Sequence, residues 1–115
     1  METNAATCLL YVPCPDLDTA RQLGRMAVER RLAGCVNILP AMVSIYEWRG
    51  SVEEAAECVL LAKTSEAAAP RLRTLLEREH PYEIPAILTV PLAGMNAAYR
   101  HWLLQRIDPV GGAAT

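Results

Sequence analysis

The segment from Cys35 to Trp48 limits what this chain can become more than any other. It is rich in β-branched and aromatic residues, Val36, Ile38, Val43, Ile45, Tyr46 and Trp48 among them, which is the composition of a strand. As one strand it would reach some 45 Å at about 3.3 Å per residue, where a usual strand has about 5–6 residues. The whole chain has 115 residues, enough for one domain with a radius of gyration of about 13–14 Å. Either Pro40 breaks the strand in two, or the strand projects beyond the domain as half of a hairpin. Val43, Ile45, Tyr46 and Trp48 occupy both faces of the projecting half. Left bare, that half is an adhesive edge, and pairing with a neighbouring subunit covers it. A homo-oligomer is therefore expected, with Val43, Ile45 and Tyr46 in its interface.

The rest of the chain supplies a frame for that hairpin. Residues 6–13 form a short apolar run closed by Pro13, the pattern of a buried strand. Asp16 is placed to cap a helix running to about Leu32, with Leu17, Ala20, Leu23, Ala27, Val28 and Leu32 facing inward and Gly34 as its stop. Arg49-Gly50-Ser51 turns the hairpin, and Val52 to Lys63 returns as the second long strand. Its residues 58–62 are apolar on both faces, as in a central strand covered on each side or met by a partner. Pro70 fits the first turn of a second helix with Leu72, Leu75 and Leu76 inward, ending near His80 because Pro81 follows. Pro85 to Leu92 reads as a fourth strand and Asn96 to Ile107 as a last helix that Asn96 can cap. The order β-α-β-β-α-β-α predicts an α+β, ferredoxin-like split-βαβ domain over residues 1–115, with an antiparallel sheet, helices on one face and an added carboxy-terminal helix. The ends, residues 1–5 and 109–115, are expected to be flexible.

Composition removes several function classes. The longest charge-free runs, 32–46 and 84–99, have 15 and 16 residues, short of the ~18 a membrane span needs. A net charge of −2 with no basic stripe argues against a nucleic-acid partner. The amino terminus lacks a basic region and does not read as a secretory signal. Cys8, Cys14, Cys35 and Cys58 stand 6, 21 and 23 residues apart, without the C-x-x-C pairs of a structural zinc site. Reduced thiols in the cytoplasm are expected. No G-x-G-x-x-G, P-loop, H-E-x-x-H or triad spacing occurs, so no enzyme is expected. Ten arginines accompany a single lysine, Lys63, a hint that arginine will not serve at that position.

Several runs together resemble the CutA family of divalent-cation tolerance proteins. They are Arg31-Leu-Ala-Gly-Cys-Val-Asn-Ile-Leu-Pro40, Ser44-Ile-Tyr-Glu-Trp-Arg-Gly50, Glu53-x-x-x-Glu57 with Leu-Leu-Ala-Lys63-Thr64 after it, and His80-Pro-Tyr-Glu-Ile-Pro85. The match runs in order from about Thr7 to Ile107. The resemblance implies a ferredoxin-like subunit in a compact homotrimer joined partly by strand pairing between subunits. It also implies a cytoplasmic protein tied to tolerance of copper and other divalent metals. Family members described as copper binders use a cysteine at the end of the first strand and a histidine pair before Pro-Tyr. Here Val12 holds the cysteine position, with Cys14 two residues on, and the pair is Glu79-His80. Ala86 stands where members often carry glutamate.

The metal candidates are therefore His80, Cys14 and Glu79, for copper or another divalent cation, with no cofactor required. Imidazole and thiolate are reasonable ligands for such ions. His80 also suits a structural place at a helix carboxy terminus, where it meets the dipole and free carbonyls. Cys14, between Pro13 and Pro15, is expected in a rigid, partly exposed turn, and Cys35 and Cys58 as small core hydrophobes. Lys63 is either a lysine snorkelling at a strand end or a cation in an inter-subunit cleft with Trp48 and Tyr82. Tyr46 and Trp48 suit interface packing. Two readings of function follow. One is a trimeric metal-tolerance protein, possessing a metal site or responding to metals. The other is a sensor resembling the PII-type trimers, holding an anionic metabolite near Lys63. A purely structural or partner-binding trimer is a third.

Overall fold

The computed structural model describes residues 6–109, so the two end stretches, Pro109 apart, lie outside the described residues. The elements are β1 (Thr7–Cys14), α1 (Leu17–Glu29), β2 (Cys35–Trp48), β3 (Ser51–Ser65), α2 (Ala69–Glu79), β4 (Leu88–Leu92) and α3 (Ala97–Gln105). The strands lie in the order β2-β3-β1-β4 with every neighbour antiparallel. This is the ferredoxin-like split βαβ, with α3 added.

Alternation on the central strands builds the core. Cys8, Leu10, Val12 and Cys14 of β1 and Cys58, Leu60 and Ala62 of β3 point to one face. There they meet Ala20, Leu23 and Ala27 of α1 and Leu72 and Leu76 of α2. Asp16 caps α1 by accepting the Thr19 N–H at 2.8 Å, and Pro70 sits in the first turn of α2. Val28, counted in the inward stripe, is exposed.

Three boundaries differ from expectation, each for a local reason. α1 stops at Glu29, and the reversal falls on Arg31, whose φ is 58°. Its left-handed backbone is held in place because the guanidinium donates to Asp108 Oδ1 and to the Gln105 carbonyl, each at 2.8 Å. Gly34 has a different task. Its N–H donates to the Lys63 carbonyl at 2.9 Å, and a Cβ there would lie 2.5 Å from Leu103 Cδ1 and 2.8 Å from the Leu103 carbonyl oxygen. The missing side chain lets α3 press Leu103 against the start of β2. β4 begins at Leu88 rather than Pro85, since its ladder with β1 opens at the Tyr11–Leu88 pair. Asn96 flanks α3 without a side-chain hydrogen bond; its carbonyl accepts from Arg100 instead.

Pro40 bends the long strand without breaking it. β2 and β3 pair from Cys35–Lys63 to Trp48–Ser51, and Arg49 and Gly50, with φ of 52° and 88°, form the type I′ turn that suits a two-residue hairpin. Leu39 opposes Val59 and Met42 opposes Glu57, so Pro40 and Ala41 together face Cys58. That is a β-bulge, where a proline within a sheet is tolerated. Beyond it the hairpin leaves the domain as an arm. The molecule measures 49 × 31 × 23 Å with a radius of gyration of 15.0 Å, above the ~13–14 Å of a round domain of this length. Val43 and Ile45 on the arm are each 65% exposed.

Gly34→Ala tests the packing of α3. We expect a loss of about 1–3 kcal/mol, the range for overpacking a filled site, read as a lower urea midpoint with an unchanged slope.

Candidate functional site

The segment after α2 turns back over the foot of the arm, and His80 fixes where it goes. His80 is 7% exposed. Its Nδ1 accepts the Tyr82 N–H at 3.1 Å, which assigns the proton to Nε2, and Nε2–H donates to the Pro13 carbonyl at 2.9 Å. The ring therefore ties the end of β1 to Tyr82, where the sequence reading had it capping its own helix. The His80 and Tyr82 rings lie 4.7 Å apart at 52°. The Tyr82 hydroxyl in turn donates to Glu57 Oε2. Burial, and then the Glu57 carboxylate, push the Tyr82 phenol well above its usual range.

Around this tie is a cleft of about 420 Å³. Tyr46 and Trp48 from β2, Glu57 from β3, and Tyr82, Glu83 and Ile84 from the connecting segment line it, and Ala86 closes its wall. Arg49 at the rim is engaged with Glu83 at 3.3 Å and stands over the Trp48 ring at 5.1 Å. The cleft is thus aromatic and acidic.

Within one subunit Trp48 and Tyr82 share this cleft, and Lys63 lies away from it. Lys63 opposes Leu9 and Cys35, six residues up β3 from Glu57, about 20 Å at strand spacing. Its Nζ lies 3.2 Å from the Tyr99 hydroxyl and 3.9 Å from Cys35 Sγ, and 5.2 Å from the Tyr99 ring. Desolvation raises the Tyr99 phenol, with Cys35 adding to the effect and Lys63 opposing it.

The three metal candidates do not converge. Both ring nitrogens of His80 are engaged with the backbone. Cys14 is not in an exposed turn: β1 runs on through it, pairs it with Cys58 and leaves it 0% exposed. Burial, then the neighbouring Cys58, push its thiol up to about 12. Glu79 bonds Arg78 at 3.3 Å and lines a shallow depression with Asp16 and Asp18. Among the described residues no group of three or more His, Cys, Asp and Glu side chains could hold a metal ion. The set His80, Cys14 and Glu79 does not fit one.

Sequence reasoning missed Glu57 and Glu83 as cleft residues, and Cys35 and Tyr99 as neighbours of Lys63. The Arg49-Gly50 turn was the usable signal for Glu57: counting back along the ladder from it brings Glu57 opposite Met42. Cys35 could not be found that way, since the bulge shifts the register before the count arrives.

A ferredoxin-like sheet with a long projecting arm and an aromatic, acidic cleft at its foot defines the class of small α+β domain to which the chain belongs. The CutA1 divalent ion tolerance protein family matches residues 8–106, and the chain belongs to that family. The mouse protein CutA is 37% identical over 105 residues, covering 91% of this chain and 59% of the relative; the chain thus spans little more than half of that protein. The divalent-cation tolerance protein CutA of Thermus thermophilus is 41% identical over 95 residues, covering 83% of this chain and 92% of that one. The crystal structure of CutA1 from Oryza sativa superimposes with a TM-score of 0.88 at 31% identity, covering 92% of this chain and 97% of the other.

Two outcomes test the tie. His80→Ala leaves the Pro13 carbonyl and the Tyr82 N–H without their partner, at about 1–3 kcal/mol for each buried orphan, measurable by urea denaturation at neutral pH. The folded chain holds the Tyr82 proton more tightly than the unfolded one. Its contribution is therefore complete below the unfolded pKa of about 10 and is lost as pH rises through the folded value. Urea midpoints measured from pH 8 upward should fall on the alkaline side, and fall less in Tyr82→Phe.

Proposed function

We propose that the chain works as a non-enzymatic, cytoplasmic homotrimer in the tolerance of divalent metal ions, copper among them. The observation that carries the assembly is the arm, with Val43 and Ile45 on one face and Tyr46 and Trp48 on the other, all partly or largely bare in the single subunit. A domain this small has no surface of its own to lay against both faces. β2 and β4 are the two edges of the sheet. Pairing one subunit's β2 edge with the next subunit's β4 is a head-to-tail contact, which forms a ring when the rotation closes. The family, and the name of the Thermus relative, support the tolerance half of the reading. No helix among the described residues is long and apolar enough to cross a membrane.

Sensing of an anionic metabolite is the less favoured reading: within one subunit Lys63 lies away from Trp48 and Tyr82, so an inter-subunit cleft would have to take its cation from a neighbouring subunit. Glu57 and Glu83 give the cleft the opposite sign.

Light scattering at micromolar concentration should return about three times the chain mass of 12.6 kDa. Ile45→Asp should lower the mass and the stability together, because folding and assembly are linked. A copper-sensitive host should regain growth with the wild-type chain and not with Ile45→Asp. A stable wild-type monomer would overturn the trimer.

A further inference from the structure

Four cysteines, of which only two meet, point to a site that the family's pattern does not contain. Cys14 and Cys58 are directly opposed on β1 and β3, on the face covered by the helices, and are 0% and 1% exposed. Cys58 Sγ leans toward β1, 3.8 Å from the Cys14 carbonyl oxygen, while Cys14 Sγ rests 3.5 Å from the Val12 carbonyl oxygen. Cys8 stands at the far end of β1, and Cys35 on the opposite face of the sheet beside Lys63.

Directly opposed residues hold their Cβ atoms about 4.5–5.5 Å apart. A disulfide draws them to about 3.5–4.5 Å, at or below the short end of that range. A linear sulfur–metal–sulfur unit sets its sulfurs two bond lengths apart, about 4.6 Å with the ~2.3 Å of a zinc thiolate as guide, which is the scale of the Cβ separation of opposed residues. We propose that Cys14 and Cys58 form a two-coordinate thiolate site for a soft monovalent cation, of which Cu(I) is the natural probe.

The chemistry selects that class. Thiolate sulfur favours Cu(I), whereas hard divalent ions demand six or more oxygen ligands. The surroundings, Ala20, Leu23 and Leu76, belong to the same apolar core and add no third donor, and a linear ion needs none. His80 reaches the adjacent Pro13 carbonyl but has no nitrogen to spare. Burial raises the pKa of both thiols, so the metal-free pair is protonated and loading must displace the protons. Two thiols and one M⁺ give one RS–M–SR⁻ unit and two H⁺, with no change of oxidation state. The first turn of α1, which begins three residues after Cys14, offsets the net negative charge, and Asp16 opposes it. The bulge helps, since the residues facing Cys58 from β2 are Pro40 and Ala41 and Pro40 has no N–H to give. Asp16 and Leu23 also line the surface depression beside α1.

The site rests on the tolerance reading only for its meaning in the cell; its own test is made on purified protein. Reduced wild-type protein is titrated with Cu(I) under argon against bicinchoninate, beside Cys14→Val, Cys58→Ala and Cys35→Ser. One Cu(I) per chain is expected, weakened roughly 100-fold or more, about 2.8 kcal/mol, in the first two variants and unchanged in the third. X-ray absorption of the loaded wild type should show two sulfurs and no nitrogen, a readout that does not depend on any variant folding. Binding that survives either core substitution, a nitrogen in the shell, or no copper retained by the wild type would overturn the site. Failure here leaves the trimer mass and the growth phenotype intact, whereas failure of those leaves the titration intact.

Discussion

The pairing of β2 with β3, and the bulge at Pro40 that interrupts it, hold the rest of the molecule in place. Between Cys35 and Leu39 the ladder belongs to the domain, with Val36 and Ile38 packed on the core. From Met42 outward it is an arm. The bulge inserts one residue, and one residue of slip exchanges the two faces of a strand. Before it, Cys35, Asn37 and Leu39 share the face of Lys63, Leu61 and Val59. After it, Met42, Ser44, Tyr46 and Trp48 share the face of Glu57. The Tyr11 hydroxyl, on that same face, donates to Met42 Sδ at 3.3 Å. Without the bulge Val43 and Ile45 would look across the cleft, and the aromatic wall would be on the other side.

His80 is the second fixed point. A single neutral imidazole joins the end of β1, the end of α2 and the segment that leads to β4, and its neighbour Tyr82 carries the tie on to Glu57. A protein that uses both nitrogens of a histidine for its own backbone has withdrawn it from metal chemistry. Val12 is buried in the core, and Glu79 bonds the adjacent Arg78 at the surface.

Charge is segregated along the sheet. The one lysine lies at one end among a thiol and a phenol, half-buried, where the compact ammonium fits beside Tyr99. The acidic cleft lies at the other end, and its rim arginine is committed to Glu83 and Trp48. Keeping Lys63 beside the Trp48 and Tyr82 of its own subunit would have required a much shorter strand.

Local signals in the sequence determined the frame. Asp16 capping α1, Pro70 opening α2, Pro81 closing it and Arg49-Gly50 turning the hairpin act within a few residues, and each is found where the sequence placed it. The excess length of Cys35–Trp48 likewise announced an arm, since strand rise is nearly fixed. The neighbourhoods were decided only in three dimensions. Gly34 reads as a helix stop until Leu103, far along the chain, is seen above it. Cys14 reads as a turn residue between two prolines until β3 arrives to extend β1 by one more pair. Lys63 reads as a neighbour of Trp48 until the length of the strand carries it away from the Trp48 of its own subunit. The physical reason is common to all three: caps and turns are set by bonds between near neighbours, whereas burial, register and side-chain company depend on which distant segment docks beside a residue, and a single inserted residue changes that company.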